Sequence, residues 1–492
     1  SKPAGKKSDA AAILVVSWQM GMRGTIGAKR EAERMTIQAV CKQGVLAGTR
    51  EGGALAFYDI PYGAHAGRFR PAGAPERWEG VRDAAKPGPI FPQVRSRLGS
   101  VLGTLREKAP QREDAFRLNV WTPDLKARLP VFFYIHGGGF ATGAGSLPWY
   151  NGADLAATGR AVVVTVNYRL GALGHLYLPG LSEGNLALGD LLAAFRWVRE
   201  NIAAFGGDPE RITIAGQSAG AWYAAAMMAS REIAGQARQF CLLSFPGTYR
   251  PSPADGARKL AVELCRQLGA GPDGAGLLAA DADKLLEAQV QAEKEMKRAG
   301  KAVASFGPVA DGVRIKDDFV GEAVQQARLM GYKVLLGTTR DETAFFFHTR
   351  PMEDAEYLAF IRRTSRDMFI APAHRFAALL SDAGAEAYVF QFNRAARHPR
   401  VLACHCIELP FLFGNFQRYK NALILEGMDM DEARALSRQL QGCLLHFLEH
   451  GSPGAVQGLS GTLTWPRYDS ENRQMMVWDA EPEVAAYREE EG

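Results

Sequence analysis

The chain has 492 residues, 47% hydrophobic and 23% charged, which is enough apolar material for a large buried core. Lys and Arg number 58 against 53 Asp and Glu, a net charge of +5 with no block of like charge long enough to serve as a nucleic-acid arm. Six cysteines (Cys41, Cys241, Cys265, Cys404, Cys406 and Cys443) include no CxxC pair of the kind zinc and redox sites use, and they point to reduced thiols in a cytoplasmic compartment.

Residues 1 to 34 stand apart. Lys2, Lys6 and Lys7 precede the apolar run AAAILVVSW, which has the outline of a secretory signal without a small-residue cleavage site. The run is also far short of the ~20 residues that cross a bilayer, so no membrane partner is expected. These residues are expected to form an appended, poorly ordered leader, with one folded domain over 35 to 492.

From Met35 the segment MTIQAVCKQGVLAGTREGGALAFYDIPYG alternates as strand, turn and strand. FRLNVW, LPVFFYIHGGGF and AVVVTVNYRL follow as strands, the last two continuously apolar. LALGDLLAAFRWVRENIAAFGG then spaces its apolar residues by three and four and stops at a glycine pair, as an amphipathic helix does, and RITIAG is the next strand. Buried strands separated by helices predict an α/β fold, with a mostly parallel twisted sheet covered on both faces. ARKLAVELCRQLG and ADKLLEAQVQAEKEMKRAG are helical patterns, and another helical stretch lies between the strands YKVLLGTT and AEAYVFQFN. They predict helical cap excursions at about 250–303 and 343–385, and no linker, repeat or low-complexity segment interrupts residues 35 to 492.

RITIAG runs into Gly216-Gln217-Ser218-Ala219-Gly220, a GxSxG pattern between a strand and a helix. A tight turn there needs small flanking residues to project a serine oxygen, and acyl transfer by that oxygen needs a base, an acid behind the base and donors for an oxyanion. Alone the pattern also fits any glycine-bounded turn. His136-Gly137-Gly138-Gly139-Phe140, upstream at the end of a buried strand, offers backbone N–H groups that can face an anion.

With EDAFRLNVWTP, GNLALGDLLAAFRWVRENIAAFGGDPERITIAGQSAG, FGPVADG, GTTRDETAFFF and HCIELPFLFGN in that order, the chain resembles the type B carboxylesterase family, α/β-hydrolases that include cholinesterases and bacterial p-nitrobenzyl esterases. The likeness runs from about Gly44 to near the end. It implies Ser218 as nucleophile, His405 as base and Glu342 as acid, an oxyanion hole of Gly138, Gly139 and Ala219, and Gln217, Ser244 and Phe140 as pocket or supporting residues. The implied partner is a small-molecule ester, with no metal or other cofactor, in a monomer or weak homo-oligomer.

Rival readings stay open at this level. Asp341 could replace Glu342 as the acid, and Ser244 could be an ordinary strand-end serine. His446 and His450 have the four-residue spacing of metal ligands but lack a third. Cys404 and Cys406, alternating about His405 on what looks like an extended segment, are expected to be packing thiols on opposite sides. A catalytically inactive binding relative of the same fold and a lipase are the competing functions. Relative to the family, Gln217 replaces a common glutamate, Phe91 and Ala115 replace a disulfide pair of secreted members, and no tryptophan lies between them to take a quaternary ammonium. The 63 positions from Glu342 to His405 are fewer than the family leads one to expect. Uncharged esters and a more open site follow from these departures.

Overall fold

The computed structural model describes residues 37–103, 109–458 and 461–489; the expected leader lies outside them. Among the described residues, eleven strands join in one sheet. In chain order these are β1 (Thr49–Glu51), β2 (Ala54–Pro61), β3 (Arg117–Thr122), β4 (Leu129–Ile135), β5 (Val162–Val166), β6 (Gly207–Gln217), β7 (Gln239–Leu243), β8 (Lys333–Thr339), β9 (Glu386–Phe392), β10 (Gln474–Trp478) and β11 (Glu483–Ala486). They lie side by side in the order β11-β10-β9-β8-β7-β6-β4-β5-β3-β2-β1. From β5 through β10 neighbouring strands are parallel, and the strands at both edges pair antiparallel. The hairpin Gln38–Cys41 and Gly44–Ala47 forms a small separate sheet with Val81–Asp83.

Successive strand residues face opposite sides, which divides the core into two layers. Val131, Phe133 and Ile135 of β4 join one cluster, together with the helices α1 (Leu186–Asn201) and α2 (Ala219–Ala229). Phe132 and Tyr134 point into the other cluster. The helices α3 (Ala254–Leu268) and α4 (Ala282–Arg298), in the first of the two stretches expected to be helical excursions, pack through a third cluster that contains Leu260, Leu264, Leu285 and Met296. Further on, α5 (Asp354–Ser365) passes through a π-helical turn, Arg366–Ile370, into α6 (Ala371–Asp382). The long helix α7 (Met430–His450) covers the second layer with Leu436, Leu440, Leu444 and Phe447.

One buried ion pair ties the segment after β5 to α1. Asp190 is fully buried and accepts from Arg169 Nε at 2.8 Å, Nη2 at 2.6 Å and the Arg169 backbone N–H at 3.1 Å. Arg169 Nη1 donates to the Arg70 carbonyl at 2.6 Å, and its guanidinium lies 5.1 Å above the Phe116 ring. The carboxylate thus accepts three hydrogen bonds from Arg169, two on Oδ2 and one on Oδ1. Removing one partner would leave the other charge buried and unpaired. Asp190→Ala should lower unfolding free energy by about 3–5 kcal/mol in urea titrations, and a joint replacement of Arg169 and Asp190 by Met and Leu should recover much of that loss.

Candidate active site

Ser218 stands between β6 and α2 with φ 57° and ψ −123°, a region that costs an L-residue roughly 1–3 kcal/mol. The fold holds it there from several sides. Its N–H donates to the Leu243 carbonyl at 2.8 Å and its carbonyl accepts from Trp222 N–H at 3.0 Å. A Cβ on Gly216 would overlap the Gly220 backbone, and one on Gly220 would overlap the Ile135 carbonyl. The two glycines of GxSxG are thus required by close backbone approach, and the serine between them is partly exposed while Gln217 and Ala219 are buried.

Glu342 and His405 meet behind this elbow. His405 Nδ1 donates to Glu342 Oε2 at 2.5 Å, and Thr339 N–H donates to Glu342 Oε1 at 2.8 Å. The His405 N–H also donates to the Glu342 carbonyl at 3.2 Å. Both side chains are buried. Their bond fixes the tautomer, with the hydrogen on Nδ1 and the lone pair on Nε2. Among the described residues, Nε2 is met by Gln217 Nε2 at 3.1 Å and not by the Ser218 hydroxyl. The rings of Phe369, Phe346 and Phe345 stand 5.2, 5.5 and 5.9 Å from the imidazole.

Asp341, the rival acid, faces elsewhere. Its Oδ2 accepts from Arg340 Nε at 3.0 Å and from Ala403 N–H at 3.2 Å, so it pins the chain just before His405. Cys404 and Cys406 pack in the second core cluster as expected of packing thiols, but both lie in that one cluster, because His405 sits on a turn and not on an extended segment, and Cys406 has φ 74°. Both thiols are buried and free, and burial pushes them well above the usual thiol range. The rings of His446 and His450 lie 4.4 Å apart, and His446 Nδ1 donates to the Ser452 carbonyl. No group of three His, Cys, Asp or Glu suited to a metal occurs among the described residues.

The glycine loop lies against the elbow: a Cβ on Gly137 would come within 3.1 Å of Ser218 Cβ. Gly138 is partly exposed and Gly139 exposed, and Ala219 opens α2, where helix N–H groups lack intrahelical partners. His136 anchors the loop as a neutral ring. Burial lowers it to about 4, Nδ1 donates to the Gly137 carbonyl at 2.7 Å, and Tyr168 stacks on it at 4.4 Å. Phe140 is buried among Tyr249, Tyr223 and Trp222, at 4.9, 5.5 and 5.8 Å. Ser244 makes no side-chain hydrogen bond to Ser218, His405 or Glu342. Its N–H donates to the Gly337 carbonyl at 2.7 Å, and its buried Oγ has no partner among the described residues.

A family model described as the carboxylesterase family matches residues 35–356 and 350–491. The chain belongs to this family. The para-nitrobenzyl esterase of Bacillus subtilis (strain 168) is 34% identical over 486 residues, covering 91% of this chain and 96% of that protein. Phenmedipham hydrolase of Pseudarthrobacter oxydans is 31% identical over 475 residues, covering 88% of this chain and 93% of that one. A solved PNB esterase superposes with a TM-score of 0.80 at 30% identity, covering 91% of this chain and 96% of the other. The α/β-hydrolase fold and carboxylic ester hydrolysis by a serine esterase therefore describe this chain.

This carboxylesterase also holds a residue that the sequence patterns did not single out. Glu408, three positions after His405, is buried, and neither carboxyl oxygen has a hydrogen-bond partner among the described residues. Burial, followed by the charge of Glu342, raises its pKa from 4.5 to about 8. Near neutrality the group is an uncharged acid. A carboxyl so close to the histidine in HCIELPF was the available signal. Because the folded chain holds this proton more tightly than the unfolded chain, the stabilisation is complete below about pH 4.5 and is lost as pH rises through about 8. Glu408→Gln should remove that dependence. Its stability relative to the parent should grow between pH 5 and 8 by up to about 1.4 kcal/mol per pH unit, and a flat difference in urea midpoints would contradict a buried neutral acid.

Proposed function

We propose that Ser218, His405 and Glu342 form the triad of this esterase, with the N–H groups of Gly138, Gly139 and Ala219 as its oxyanion hole. The observation that carries this reading is the buried 2.5 Å hydrogen bond from His405 to Glu342, which leaves the Nε2 lone pair as the base. As Ser218 Oγ bonds to the ester carbonyl carbon, Nε2 takes its proton, and the carbonyl oxygen becomes an anion facing the three amides. Collapse of the tetrahedral centre breaks the bond to the alcohol oxygen, which takes the proton from Nε2. Water then attacks the acyl-enzyme by the same route, releasing the carboxylic acid and restoring Ser218. Glu342 stabilises the imidazolium without accepting its proton.

Uncharged esters of short or medium acyl chains are the substrate class that suits the site. Gln217 brings no negative charge for a cationic ester, and three phenylalanines around His405 offer an apolar wall to the leaving group. Phe346 is 51% exposed, which supports an entrance wide enough for bulky aryl groups. The relative named for phenmedipham hydrolysis supports carbamates as secondary substrates. Six free, buried thiols support a cytoplasmic setting.

Hydrolysis of p-nitrophenyl acetate, butyrate and decanoate checks the assignment. Ser218→Ala should lower kcat by about four orders of magnitude or more, and Glu342→Gln by roughly two to four orders with the fold intact. Unchanged turnover in Ser218→Ala would remove the nucleophile from the scheme. A rate that rises only with micellar decanoate would indicate a lipase, and a strict preference for small over bulky aryl esters would contradict the open entrance.

A further inference from the structure

Gln217 ends β6, where its backbone is in register with Leu243 of β7, and its side chain is buried beneath the glycine loop. Gly137 passes close over the amide, where a Cβ would lie 2.8 Å from Gln217 Oε1, so the absence of a side chain there leaves the amide its space. Its Nε2 is 3.1 Å from His405 Nε2. An amide nitrogen carries hydrogens and no lone pair available to accept one, so it can only donate. The hydrogen of the neutral imidazole is committed to Glu342 through Nδ1, so Nε2 is the acceptor. On the triad reading this is also the lone pair that must take the Ser218 proton. Two donors, the Gln217 amide and the Ser218 hydroxyl, compete for one acceptor.

We infer that Gln217 is a positioning residue that caps His405 Nε2 in the resting site, so that Ser218 is activated only once the amide has swung off the ring. The inference rests on the assignment of His405 as the base. When Nε2 carries a proton the pairing becomes donor against donor, so the cap favours the neutral imidazole and is released as the proton arrives. The ionisable groups around the ring are Glu342 on the loop after β8, with Asp341 beside it, and Glu408, Cys404 and Cys406 on the histidine's own turn. The phenylalanine rings that complete the surroundings are uncharged. Gln217 is therefore the neighbour whose contribution to the proton equilibrium of Nε2 comes from donation alone.

Two substitutions separate donation from bulk. Gln217→Met keeps length and volume but cannot donate, and Gln217→Glu keeps the shape but presents an acceptor. The measurements are the pH dependence of kcat/KM for p-nitrophenyl acetate and the rate of Ser218 labelling by diisopropyl fluorophosphate, an uncharged reagent that needs the Ser–His step and no deacylation. In Gln217→Met the acid limb should move to higher pH by about half to one unit, the size expected when a hydrogen bond to a single protonation form is lost. Labelling above that limb should quicken several-fold. Gln217→Glu should move the limb in the same direction and further, because a carboxylate favours the imidazolium. An acid limb that stays in place in either folded variant, or labelling that slows in Gln217→Met, overturns the cap. Should Ser218→Ala still turn over ester, the triad reading itself fails; should Ser218→Ala abolish labelling while the Met and Glu limbs stay put, only the cap fails.

Discussion

The site depends on how closely the backbone can fold on itself where β6 becomes α2. A strand in the middle of a parallel sheet ends at its neighbours' carboxyl ends, and here the chain must reverse into a helix beneath the glycine loop within a single residue. With Gly220 against the Ile135 carbonyl and Gly216 against Gly220, no side chain fits at either place. The strain falls on Ser218, the residue between them. It is bearable because both backbone groups of Ser218 are hydrogen-bonded and the sheet on either side is packed without exposed apolar surface. Everything else in the site is arranged around this fixed point: the loop after β4 lies against it, and the loop after β8 brings Glu342 to His405 behind it.

Charge is sorted around that point by solvation. Glu342 is buried and takes hydrogen bonds on both oxygens, which offsets the cost of taking its polar group out of water. Glu408, three residues after His405, has neither oxygen hydrogen-bonded among the described residues and carries a proton instead. His136 and His175 are held neutral by burial, each lowered to about 4, and each donates Nδ1–H to a backbone carbonyl. Groups that look alike in sequence thus have different roles because their hydrogen-bond partners differ.

Sequence carried the sheet well, because its central strands are nearly all apolar and the switch between continuous apolar runs and helical spacing is sharp in residues 117 to 243. The tight turn of GxSxG and the close approach of the glycine loop were legible for a related reason: both are backbone requirements, and glycine records them. Side-chain partnerships were harder to read. Nothing in DET tells that Asp341 turns toward Arg340 and the chain before His405 while Glu342 turns toward the imidazole. That division comes from a loop that brings residues 63 positions apart into register. The left-handed turn at Cys406 was hidden for the same reason, since cysteine is no marker of positive φ. Glu408 escaped notice because burial, and not its identity, makes it unusual.

The π-helical turn between α5 and α6 carries Phe369 to the imidazole edge. Such a turn holds one more residue than an α-helical turn. Chain length inside it is therefore a control on the pocket in its own right. Because the extra residue is absorbed within the turn, losing one residue from Arg366–Ile370 would restore ordinary α-helical winding with α6 nearly in phase with α5, and would change the turn itself. The position of Phe369 beside His405 is thereby tied to the number of residues in that turn, separately from the identity of its side chains.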